Sequence, residues 1–179
     1  MTSSEQTALA ADAVERFAER VGTSRHGRAD GASARVAVVC AKFNGAITAR
    51  LLEGVLGGLA ACGVDARTVT VAWVPGAFEI PLAAQRVIAS RPVDAVVALG
   101  AVIRGDTAHF DFVAGQCASG LQRVALDTGV PVVFGVLTTD TLAQALERCR
   151  DDESNKGYEA AITALEMVDL LGPVAPAED

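Results

Sequence analysis

Between residues 35 and 171 the chain switches repeatedly between two hydrophobic periods. Continuous, largely β-branched runs, RVAVVCA (35–41), ARTVTVAWV (66–74), VDAVVALGAVI (93–103) and VPVVFGVLT (130–138), read as strands buried on both faces. The segments between them carry apolar residues three and four apart and predict helices at 47–63, about 77–89, 112–129, about 140–148 and 156–171. Strands that alternate with helices pair in parallel, because each return crosses over through a helix. The expected fold is α/β: a flavodoxin-like three-layer α/β/α sandwich around a central four-stranded parallel sheet. No internal repeat is visible.

The first 33 residues break this pattern. Leu9, Ala10, Val14, Phe17 and Val21 follow helical spacing, and GTSRHGRADGAS (22–33) reads as a flexible linker. The expected organisation is an N-terminal extension, part-helical, over residues 1–33 and one α/β domain over 34–179. Glu5, Asp12, Glu15 and Glu19 oppose an organelle transit peptide.

Composition narrows the function classes. Half the chain is hydrophobic (51%), yet no apolar run reaches the roughly 18 residues of a membrane span. The longest, 93–103, is interrupted by Asp94 and Gly100. A net charge of −7 and a pI near 4.8 argue against a generic nucleic-acid binder. Neither a nucleic-acid nor a membrane partner is expected. Cys40, Cys62, Cys117 and Cys149 form no CxxC pair, and nothing resembles a secretory signal. They read as buried thiols of a reducing, cytoplasmic protein.

In an open parallel sheet, ligands gather beyond the carboxyl ends of the strands. Here those ends read KFNGA, WVPGAFEIP, IRGDTAH and FGVLTT. In the third, Gly105 permits a tight turn, and the amides of Asp106 and Thr107 precede a helix. That arrangement serves equally as a phosphate cradle or as ordinary capping by Asp106, Thr107 or Asp111. His109 suits proton transfer near neutral pH, although a lone histidine is more often structural. Asp106, His109 and Asp111 could be imagined as metal ligands, but nothing completes the set. Glu79, in the second strand end, could accept hydrogen bonds from hydroxyls, or the segment could simply be a capped helix with Phe78 in the core. Phe43 could stack on a planar heterocycle or fill the core. Arg148 and Lys156 could meet a phosphate or remain solvated charges. There is no GxGxxG and no GxxxxGK[ST], so no dinucleotide or ATP fingerprint is present.

Taken in order, these stretches resemble one family. FN (43–44), WVPGAFEIP (73–81), GAVIRGDTAHFDFV (100–113), PVVFGVLTT (131–139), ALER (145–148) and NKGYEAA (155–161) are similar to the 6,7-dimethyl-8-ribityllumazine synthases of riboflavin biosynthesis. The likeness spans about residues 35–171. It implies a cytoplasmic transferase, without cofactor or metal, that condenses 5-amino-6-(D-ribitylamino)uracil with 3,4-dihydroxy-2-butanone 4-phosphate and releases phosphate and water. By the same resemblance, Phe43 and Asn44, the segment Gly76, Ala77, Phe78 and Glu79, and Val102 and Ile103 bind the pyrimidine and its ribityl chain. Asp106 and Thr107 with Arg148 hold the phosphate, and His109 transfers protons. Phe134 and Lys156 are site positions that, with Arg148, come from a neighbouring subunit. A homo-oligomer with sites between subunits is therefore implied, a pentamer at least. Icosahedral shells of such rings also occur in the family.

Two departures stand out. RDDESNKG (150–157) lacks the GTK-type sequence of many shell-forming members, and the N-terminal extension exceeds the usual length. Two other readings remain at this point: a catalytically idle flavin- or lumazine-binding or shell-forming relative, and a flavin mononucleotide carrier. The carrier would need a Ser/Thr-rich phosphate loop after the first strand, where KFNGAIT stands instead.

Overall fold

The computed structural model describes residues 11–21, 23–31 and 33–172. Helix α1 (Ala11–Ala18) is followed by β1 (Val36–Ala41), α2 (Gly45–Ala61), β2 (Thr70–Val74), α3 (Ile80–Ser90) and β3 (Ala95–Ile103). Then come α4 (His109–Thr128), β4 (Val132–Thr139), α5 (Leu142–Glu147) and α6 (Lys156–Leu171). The sheet is wholly parallel, in the order β2-β1-β3-β4. It is the flavodoxin-like α/β/α sandwich that the sequence predicts.

Burial explains why the strands read as unbroken apolar runs. β1 and most of β3 are buried on both faces. On one face Val38, Val97 and Leu99 pack with Leu51 and Val55 of α2 and Leu165 of α6. On the other, Val39, Val96 and Ala98 pack with Ile80 of α3 and Leu121 of α4. β2 and β4 are the edges and are less covered. Close packing of α2 on α6 rests on small residues. A Cβ on Gly157 would lie 1.9 Å from the Leu51 carbonyl oxygen, and one on Gly58 2.9 Å from the Ala161 Cβ.

Element ends differ from expectation where local caps intervene. Residues 66–68, read as strand, form a 3-10 turn because the Asp65 side chain accepts the Arg67 amide at 2.9 Å. The helix expected from residue 112 begins at His109, where the Thr107 hydroxyl accepts the His109 amide. α4 stops at Gly129 in the left-handed region (φ 69°).

Of the expected N-terminal helix, Leu9 and Ala10 lie outside the described residues. Phe17 and Val21 are exposed, while Ala13 is buried. Residues 23–31 have no regular structure, but they are fastened rather than free. The Arg28 amide donates to Asp169 (2.8 Å), Arg25 Nη2 to the Leu170 carbonyl (2.9 Å), and the Gly31 amide to the Cys62 carbonyl (2.9 Å). Three thiols are buried and Cys62 is half-buried. Burial pushes Cys117 up to about 11. No helix among the described residues is long and apolar enough to cross a membrane.

Candidate active site

The chain order reverses between β1 and β3, which opens a crevice at their carboxyl ends. A cleft of about 590 Å³ lies there. Phe43 comes to it from the end of β1 and Gly76 to Glu79 from the turn after β2. Ala101, Val102 and Ile103 come from β3, Gly105 and Thr107 from the following loop, and His109, Phe110, Phe112 and Val113 from α4. Four of the chain's six phenylalanines thus line one cleft. Phe43 is 70% exposed, Phe112 67% and Phe78 56%, so these rings are not core residues.

The backbone fixes each part. Phe43 is held by its amide on the Pro75 carbonyl (3.1 Å). Asn44 adopts the left-handed conformation (φ 56°), and its Nδ2 donates to the Ala101 carbonyl at 2.8 Å. Its side chain therefore ties the end of β1 to β3, and Asn44 does not line the cleft. The Gly76 amide donates to Glu79 Oε2 at 2.9 Å, which orients the carboxylate. Between β3 and α4, the amides of Asp106 and Thr107 make no hydrogen bond with the described protein, and they closely precede a twenty-residue helix. Such free amides at a helix start favour an anion. Asp106 is not among the lining residues, although its neighbours Gly105 and Thr107 are.

A second cleft, of about 430 Å³, lies beside edge strand β4 and is lined by Phe134, Arg148, Lys156 and Glu159, among others. The Lys156 amide donates to the Arg148 carbonyl at 2.9 Å, which joins the end of α5 to the start of α6. Lys156 Nζ pairs with both Glu159 oxygens at 2.6 Å. Arg148 Nη1 donates to the Gln144 carbonyl at 3.0 Å. The two clefts share no lining residue. One copy of the chain therefore holds the expected site residues, Asn44 and Asp106 apart, in two separate clefts. Asp106, His109 and Asp111 form no metal-binding group, and none occurs among the described residues.

Residues 33–172 match the family model described as 6,7-dimethyl-8-ribityllumazine synthase. A relative from Edwardsiella ictaluri (strain 93-146), named 6,7-dimethyl-8-ribityllumazine synthase, is 55% identical over 139 residues, covering 77% of this chain and 89% of the relative. The chain belongs to the 6,7-dimethyl-8-ribityllumazine synthase family.

The span matched by the lumazine synthase model contains every lining residue of both clefts. It begins at residue 33, after α1 and the fastened segment. Sequence reasoning passed over Phe110, Phe112, Val113 and Ala101 in the first cleft and Glu159 in the second. A signal for two of them was available. In a chain with only 4% aromatics, two phenylalanines beside the candidate histidine are unusual company. Glu159 carried no such mark, because a glutamate three residues after a lysine on a helix is also an ordinary surface pair. Arg104, at the start of the loop after β3, is engaged with Asp111 and Asp140.

Proposed function

We infer that the chain condenses 5-amino-6-(D-ribitylamino)uracil with 3,4-dihydroxy-2-butanone 4-phosphate to form 6,7-dimethyl-8-ribityllumazine, phosphate and water. Beyond membership of the family, one observation carries this reading. An aromatic cleft for a flat heterocycle lies directly beside a pair of unbonded amides suited to a phosphate.

In this proposal the pyrimidine stacks on Phe43 and its uracil edge meets the backbone of Val102 and Ile103. The ribityl chain lies along Gly76, Ala77 and Phe78, with Glu79 accepting its hydroxyls; Glu79 Oε1 takes no hydrogen bond within the described protein. Asn44 serves by holding the Phe43 turn in place. The Asp106 and Thr107 amides receive the butanone phosphate. The pyrimidine's amino group attacks the butanone carbonyl with loss of one water, phosphate is eliminated, and the second nitrogen closes the ring on the remaining carbonyl with loss of a second water. His109, at the first residue of α4, moves the protons. Most of the acceleration comes from holding two substrates together, which is worth on the order of 7–11 kcal/mol when the geometry is right.

Phe134, Arg148 and Lys156 reach this site only from a second copy of the chain, whose β4 cleft closes over the first. Arg148 then adds a bidentate cation to the phosphate. The assembly we propose is cytoplasmic and at least a ring of five, with a shell of such rings as a larger form. Residues 34–179 form the catalytic domain and residues 1–33 the extension. The direct test is incubation of the purified protein with the two substrates, followed by lumazine absorbance. Product is expected with both together and none with either alone; no product from the pair would defeat the reading.

A further inference from the structure

Arg104 is the one charged side chain of the β3–α4 loop that reaches two other elements. Its Nε donates to Asp140, just beyond β4, at 2.9 Å. Its Nη1 lies 3.2 Å from Asp111 in the first turn of α4. The guanidinium carbon sits 4.0 Å from the centre of the Phe110 ring, which lines the cleft beside His109. The Arg104 amide also donates to the Thr139 carbonyl at 2.9 Å. The loop between has little else to hold it. Gly105 has open space around it, the Asp106 and Thr107 amides are unbonded, and the Thr107 hydroxyl meets the His109 amide only at 3.4 Å.

We propose that Arg104 is a positioning residue: by clamping Asp111 and Phe110 of α4 to Asp140 beyond β4, it sets the orientation of His109 and of the two phosphate-facing amides. The inference rests on the functional reading of His109 above. Arg104 itself lies outside the cleft lining, so it acts through its neighbours and not on substrate. Exposed ion pairs of this kind contribute little to global stability. What they fix here is a rotamer and a loop. The planar fork allows one side chain to serve two carboxylates while its face covers a ring, a combination a lysine ammonium cannot reproduce.

The test is a double-mutant cycle on kcat. Arg104→Ala is expected to lower kcat by roughly tenfold or more while KM for the pyrimidine stays within about twofold and the melting temperature within a few degrees. Arg104→Lys and Asp140→Asn, milder changes, are expected to fall between. In a His109→Ala background, Arg104→Ala should cost less than about threefold, because the residue it positions is gone. An equal loss in both backgrounds would overturn the inference. So would a rise in pyrimidine KM with unchanged kcat. If instead the wild type makes no lumazine, or His109→Ala matches it, the functional reading itself fails, and the positioning role falls with it.

Discussion

His109 is placed by three things: the strand that delivers it, the early start of α4 and a cleft walled by phenylalanine rings. No carboxylate or backbone group within the described protein takes its side chain, which leaves the imidazole available to a reacting molecule. His109→Ala is expected to lower kcat by about 10²–10⁴-fold and still to form product, since a positioned proton carrier is worth that much and substrate positioning remains. A variant that binds both substrates but forms no product would mean that proton transfer, not positioning, dominates. At this scale the sequence marked His109, Phe43 and Glu79 through residue type and place at strand ends. The resemblance assigned Asn44 to substrate; in the fold its Nδ2 donates to the Ala101 carbonyl and the residue lies outside the cleft lining. An asparagine after a strand carries no sign of which of its bonds the fold has already claimed.

The elements owe their legibility to burial on both faces. β1 and β3 are central, so nearly every position is apolar and the runs are unmistakable. What the pattern could not show is how closely α2 and α6 approach. Gly157 sits where a methyl group would meet the Leu51 carbonyl oxygen, and it adjoins Lys156 of the second cleft. Gly157→Ala is expected to destabilise the protein by about 1–3 kcal/mol in urea unfolding, as overpacking does; unchanged stability would refute the account of the seam. At the opposite end of the sheet Arg35 donates through Nε and Nη2 to Asp94, at 3.0 and 2.6 Å. That side-chain hydrogen bonding holds the Asp94 carboxyl below its ordinary value. A lowered folded-state value gives stability that is present above the unfolded value near 4 and lost as pH falls through the folded one. Asp94→Asn should therefore lower the melting temperature at pH 7, with the gap from wild type closing as the pH drops below about 4. A gap of the same size at pH 7 and pH 3 would contradict the pairing.

For the whole molecule, the decisive feature is division. The switch-point cleft and the β4 cleft hold complementary halves of the proposed site, and one chain does not join them. Spacing along the sequence had no means of showing this. The proposal that Phe134, Arg148 and Lys156 belong to the site comes from the family resemblance, because in isolation Arg148 and Lys156 read equally as surface charges and Phe134 carried no mark of its own. If neighbouring copies complete each other, co-assembling His109→Ala with Arg148→Ala should give more activity than the two variants assayed separately, since some sites then receive both intact halves. Activity no greater than their sum would place the whole site within one chain. The most direct measurement follows lumazine formation by wild type and Arg148→Ala side by side, with both substrates varied. The expected result is product from wild type, with the variant's KM for the butanone phosphate raised roughly 10- to 100-fold, the loss of about 1.5–3 kcal/mol for a charged hydrogen bond, and its pyrimidine KM little changed. Absence of product from wild type, or a variant indistinguishable from it, would contradict the account.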